Sequence, residues 1–166
     1  VIIHPQRGLS LVKNVVDFEP SRKGKYNWNT IFFVAAFHLA AIGAFFTFSW
    51  ANLTAAFVVW WFANSWGVGI GYHRLLSHRG FTASKWMVRF LATLATLGLQ
   101  SGPISWTTTH RLHHAFTDQE RDPHSPRKGV WWSHMGWIFR GTAQNQPLSV
   151  RQRYSPDLMK DPYLVF

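Results

Sequence analysis

The chain has 166 residues, the size of one domain, with 47% apolar residues, 14% charged residues, ten Trp and fourteen Phe. Soluble domains carry roughly 25% charge, so this composition leans towards a bilayer even though the mean hydropathy is −0.07. Cysteine is absent, which excludes disulfides, iron–sulfur clusters and thiolate zinc sites built from this chain.

The net charge of +10 and a pI near 10.7 suit an anionic membrane surface, an anionic substrate or nucleic acid. Its distribution narrows the choice. No Asp or Glu occurs between Pro20 and Thr117, whereas Asp118, Glu120 and Asp122 follow at once. A metal site inside that long stretch must therefore use neutral ligands.

In chain order, residues 1–29 read as a basic segment containing Lys13, Arg22, Lys23 and Lys25, with no secretory signal expected. Thr30–Phe48 and Ala51–Tyr72 are uncharged windows of nineteen and twenty-two residues. Each matches the roughly 20 residues that cross a hydrocarbon core of about 30 Å. Only Ser49-Trp50 separates them, so a transmembrane hairpin is expected. The flanking charges Lys25, Arg74, Arg79 and Lys85 put both of its ends in the cytoplasm. A buried helix pair in a soluble bundle is the alternative. His38 lies inside the first span, and a neutral imidazole bonded to the neighbouring helix is the expected state.

Trp86–Leu99 is apolar but interrupted by Arg89 and too short to cross, which suits an interfacial helix. Beyond His110 the chain turns polar, with Trp131, Trp132 and Trp137 expected at headgroup depth. The expected fold class is all-α and integral to the membrane: a hairpin, an interfacial helix and a cytoplasmic cap.

Five of the nine histidines fall into two clusters, His73-Arg-Leu-Leu-Ser-His78 and His110-Arg-Leu-His113-His114. On an α-helix, positions i, i+3 and i+4 share a face, so His110, His113 and His114 are expected to point together. Positions i and i+5 lie about 140° apart on a regular helix. His73 is therefore expected at the end of the second span, with a chain break before His78. Five imidazoles on one side of two spans suggest a metal site. Imidazole alone does not select among zinc, copper, iron and nickel, but five ligands suit two metals better than one closed zinc site.

Gly71-Tyr-His-Arg-Leu-Leu-Ser-His78, Trp106-Thr-Thr-Thr-His110-Arg-Leu-His-His114, Asp122-Pro-His124-Ser and Trp132-Ser-His134-Met-Gly-Trp137 together resemble the stearoyl-type (delta-9) fatty acyl desaturases. The resemblance runs from about residue 28 to 166, a partial desaturase domain spanning 30–166. It implies O2-dependent insertion of a cis double bond, carried out by two non-haem irons. By motif, His73, His78, His110, His113 and His114 are the ligands available here. Asp122, His124 and His134 are expected to support them, and Gln100 and Trp106 to line the bend of an acyl tunnel.

The family's third His-x-x-His-His run does not occur up to Phe166, so this segment alone is expected to be inactive. Electrons are expected from an external donor such as cytochrome b5 or ferredoxin, and the acyl chain from acyl-CoA, acyl carrier protein or a membrane lipid. No nucleic-acid partner is expected. The setting is a bacterial inner membrane, or endoplasmic reticulum or plastid in a eukaryote. Arg127 and Lys128 are candidates to meet a phosphate-bearing head group. Thr108-Thr109 stand where animal acyl-CoA desaturases carry Arg-Asp, which resembles bacterial and plant-like members and leaves the head group open. A di-iron fatty acid or alkane hydroxylase and a non-catalytic basic membrane protein are the rival readings.

Overall fold

A computed structural model of the chain describes residues 23–141 and 146–165. Most of the expected segment 1–29, including Lys13 and Arg22, lies outside the described residues. The described residues form helices joined by loops, with no strand among them.

Helix α1 spans Trp28–Ala44 and tightens into a 3₁₀ turn over Phe45–Thr47. Helix α2 runs from Trp50 to Ser77, first α-helical and then π-helical over Phe62–Ser77. Helices α3 (Lys85–Thr96) and α4 (Pro103–Ala115) follow. Helix α5 covers residues 132–139, opening with a π-helical Trp132–Gly136. The short helices α6 (Leu148–Tyr154) and α7 (Pro162–Val165) close the chain.

Local signals account for the helix starts. Asn27, Ser49 and Ser84 each accept the backbone N–H three residues on, and Pro103 occupies the first turn of α4, where its missing N–H costs nothing. The two candidate spans occupy Trp28–Thr47 and Trp50–Ser77. The first starts two residues before the window read from sequence, and the second ends five residues beyond it. Both are long and apolar enough to cross a membrane. Helix α1 and the first half of α2 bury no residue, leaving Phe32, Phe37, Trp60 and others exposed, a surface unsuited to water. Apart from their link, α1 and α2 share few contacts. The start of α1 packs instead on α5, where the Asn27 N–H donates to Phe139 O at 2.7 Å and Arg140 covers the Tyr26 ring.

The core lies lower, where Tyr72, Leu75 and Leu76 of α2 meet Leu91, Ala92 and Ala95 of α3, Ile104 of α4, and Leu158 and Leu164 near the end of the chain. Rather than lying free across a surface, α3 docks antiparallel on the π-helical half of α2. Ala95 faces Gly67 and Leu91 faces Gly71, a small-xxx-small contact that lets the backbones approach closely. A Cβ on Gly67 would come within 2.4 Å of the Ala95 amide nitrogen, while one on Gly43 would meet nothing within 4 Å.

The paired substitutions follow directly. Gly67→Ala must push α3 from α2 and destabilise the protein by about 1–3 kcal/mol, the usual cost of overpacking. Gly43→Ala should be neutral, or stabilise by roughly 0.5–1 kcal/mol through helix propensity. Thermal unfolding in detergent, followed by tryptophan emission, measures both.

Candidate metal centre

The π-helical half of α2 decides the geometry. In a π-helix the hydrogen bonds run from i to i+5, so residues five apart stand one above the other. The His78 N–H donates to His73 O at 3.0 Å, and the Ser77 hydroxyl repeats this spacing by donating to Tyr72 O at 2.8 Å. The expected break before His78 is therefore absent. The helix continues past His73, and the chain turns only after His78, where Arg79 takes a positive φ of 50°. On a regular α-helix the two rings would stand about 140° apart, which is why a break was expected; the π winding removes that separation.

His73 and His78 meet His110 and His114, which lie one turn apart on α4. Three contacts link the four Nε2 atoms: His78 to His73, His78 to His110, and His114 to His110, each 3.1 Å. Metal–imidazole bonds of about 2.1 Å place neighbouring nitrogens roughly 3.0–3.4 Å apart at octahedral or tetrahedral angles, so this spacing fits a shared cation. Burial first, then the neighbouring imidazoles, push the His110 pKa down to about 3, and the same causes lower His114. Both rings are neutral at neutral pH, with lone pairs available to a metal.

His113 departs from the expected common face. It turns aside to Asp122, whose oxygens lie 3.0 and 3.1 Å from its Nδ1. Asp122 is fully buried and also accepts the N–H groups of Asp118 and His124. Burial raises its pKa, but the His113 bond and the two backbone donors outweigh that and leave it below the ordinary value. An ionised carboxylate there holds the His113 proton on Nδ1 and frees Nε2, the arrangement in which carboxylates orient metal-binding histidines. His124 stacks on His113 at 4.4 Å between centroids, and its imidazole, Asp122 and His113 form a second group close enough to hold a cation. His134 is not brought to the cluster; it stays exposed on α5.

Trp106 stacks on His110 with centroids 5.0 Å apart. Its indole N–H donates to Gln100 Oε1 at 3.2 Å, Gln100 Nε2 donates to Asn64 Oδ1 at 3.2 Å, and Asn64 Nδ2 donates to Trp60 O at 3.0 Å. Asn64 was missed in the sequence; a lone polar residue inside an apolar window was the signal. Gln100, Trp106 and His110 line a cavity of about 1050 Å³ whose opposite wall is α1, with Phe33, Phe37 and His38. His38 bonds Val34 O of its own helix at 2.7 Å, not the neighbouring helix as expected: the i−4 carbonyl lies within its reach, and α2 does not pack there.

Arg111 was also missed, because the basic residue between ligands reads as a solvated charge. Only 15% of its side chain is exposed. It bonds Asp157 bidentately at 2.7 and 3.0 Å and also reaches the carbonyls of Leu76, Ser77 and Tyr154. Thr108 and Thr109 are buried too. Thr108 shares a 2.8 Å hydrogen bond with Ser155, and Gln146 donates to Thr109. Lys128 folds back onto Glu120, while Arg127 is exposed.

Asp157 supplies a pH signature. Burial raises its pKa, but Arg111 and Arg79 bring it to about 2, below the ordinary 3.8. A depressed carboxyl stabilises the fold above its unfolded pKa and loses that contribution as pH falls from about 4 to about 2. Asp157→Asn should therefore flatten the decline of the melting temperature across that window relative to the unmodified protein, as read by thermal unfolding at stepped pH.

Residues 48–162 match the family described as fatty acid desaturase. The chain is 40% identical over 149 residues to the sn-1 stearoyl-lipid 9-desaturase of Anabaena variabilis, covering 88% of this chain and 53% of that protein. It is 42% identical over 117 residues to delta-9 acyl-lipid desaturase 1 of Arabidopsis thaliana, covering 68% and 38% respectively. It is 35% identical over 144 residues to the acyl-CoA 5-desaturase AL21 of Anemone leveillei, covering 84% and 44%. The chain thus spans about half the length of the bacterial relative and less of the plant ones.

Proposed function

This chain belongs to the fatty acid desaturase family, and from that premise we propose that the whole protein inserts a cis double bond, at the delta-9 position, into the acyl chain of a membrane lipid. One observation carries the reading: the imidazoles of His73, His78, His110 and His114 converge at metal-ligand spacing, and His110 also lines an apolar-walled cavity.

His73, His78, His110 and His114 would hold one iron. His113, oriented by Asp122, would contribute to a second, with further ligands coming from the rest of the protein. Iron supplies the oxidising power, drawn from O2, that an unactivated methylene requires. The overall change balances when two hydrogens leave adjacent carbons and, with two electrons and two protons from outside, reduce O2 to two waters. An external one-electron carrier of the cytochrome b5 or ferredoxin kind supplies the electrons.

The chain's own residues position and enclose. Phe33 and Phe37 sheathe the acyl chain and exclude water, while the Asn64–Gln100–Trp106 series fixes the polar wall where the cavity passes His110. A lipid head group is favoured over coenzyme A for two reasons. Thr108 and Thr109, buried neutral hydroxyls, stand where animal acyl-CoA desaturases carry an Arg-Asp pair. The Anabaena and Arabidopsis relatives are named for acyl-lipid substrates. Both long helices cross the bilayer, with the histidine clusters on the cytoplasmic side.

Expressed at full length in a host without its own desaturase, the protein should yield cis-monounsaturated lipid acyl chains, and His78→Ala or His110→Ala should abolish them. Gas chromatography with mass spectrometry of the methyl esters locates the double bond; hydroxylated esters instead would sink the reading in favour of a hydroxylase. Topology has its own test. In a background free of other cysteines, Arg127→Cys and Phe46→Cys should react with an impermeant maleimide from opposite sides of the membrane, and labelling from one side would refute the hairpin.

A further inference from the structure

We propose that Arg111 and Asp157 are positioning residues for the imidazole cluster: their ion pair holds the backbone just before His78, and the Arg79 side chain just after it, against the helix that carries His110 and His114. The proposal rests on the reading of that cluster as a metal centre.

A guanidinium has five N–H groups in a rigid planar fork. All five hydrogens of Arg111 have acceptors. Nη1 donates to Tyr154 O at 2.8 Å and to Asp157 Oδ1 at 2.7 Å. Nη2 donates to Leu76 O at 2.6 Å and to Asp157 Oδ2 at 3.0 Å, and Nε to Ser77 O at 3.3 Å. The carbonyls of Leu76 and Ser77 belong to the last turn of α2, where no intrahelical donor remains and a cation is favoured. The same Asp157 carboxylate takes Arg79, with Nη2 at 2.9 Å and Nε at 3.2 Å.

Ser77 and Arg79 are the two neighbours of His78. One is held by Arg111 and the other by Asp157, and Arg79 is kept in the left-handed backbone region, at a φ of 50°. Arg111 itself sits one residue beyond His110. The pair is therefore a short strut between the two histidine clusters, and it sets the 3.1 Å approach of the His78 and His110 Nε2 atoms. The Arg111 guanidinium is mostly buried, and the worth of the pair lies in its geometry. A lysine ammonium keeps the charge but cannot span two peptide carbonyls, a third carbonyl and both carboxylate oxygens from one rigid plane.

The test uses full-length protein purified in detergent, stripped of metal and titrated anaerobically with Co(II) against a competing chelator. Its readouts are affinity and the visible ligand-field spectrum. Asp157→Asn and Arg111→Lys should weaken Co(II) binding roughly 10–100-fold, as loss of an outer partner of a metal ligand does, and should shift the ligand-field bands. Arg79→Gln should produce a smaller shift in the same direction; its side chain is 64% exposed, so this variant folds even if the others do not. A purely stabilising pair would lower the melting temperature and leave the spectrum alone. Folded variants with the parent's affinity and bands overturn the strut. A parent protein that takes up no cobalt overturns the metal reading itself, and the strut with it.

Discussion

Four imidazole nitrogens crowd together here, linked by contacts of 3.1 Å. Imidazoles packed this closely gain little from one another and do not hold the arrangement by themselves. The surrounding structure has to hold it. Three devices do so: the π winding that stacks His78 over His73, the one-turn spacing of His110 and His114 on α4, and Arg111, which ties the end of α2 to the helix beside it. Asp122 does for His113 what Arg111 does for the backbone, using a buried carboxylate to set one ring's orientation.

The packing beneath the cluster follows from the same need. Helix α1 and the first half of α2 bury nothing, so the rigidity of the site cannot come from them. It comes from the π-helical half of α2, where Gly67 and Gly71 admit the α3 backbone, and from the C-terminal segment, where Leu158 and Leu164 complete the core and Asp157 holds Arg111 and Arg79. The close approach of α3 also fixes where its C-terminal end delivers Gln100, and with it the hydrogen-bonded series from Asn64 to Trp106. A steric contact between two helices thus determines the polar wall of a cavity many residues away.

The separation of polar and apolar regions gives the cavity its character. Aromatic residues of α1 form one wall, while the other carries Gln100, Trp106 and His110. The lining is apolar along most of its extent, with imidazoles entering at His38, His110 and His124.

The sequence by itself determined the parts. Uninterrupted apolar windows of this length called for two long helices, and the structure has two, each long and apolar enough to cross a membrane. The absence of carboxylates from Pro20 through Thr117 limited any metal there to neutral ligands, for which the five clustered histidines were the candidates. Spacing rules did not reach further, because they assume one helical period. Only the tertiary structure decided that α2 would wind as a π-helix, that His113 would turn to Asp122 while His134 stayed outside, and that Thr108 and Thr109 would be buried against the C-terminal segment. Arg111, Asn64 and Asp157 were illegible for a related reason. A charged or amide side chain has the same sequence signature whether it faces solvent or bonds partners far along the chain, and only the folded chain brings those partners within hydrogen-bonding distance.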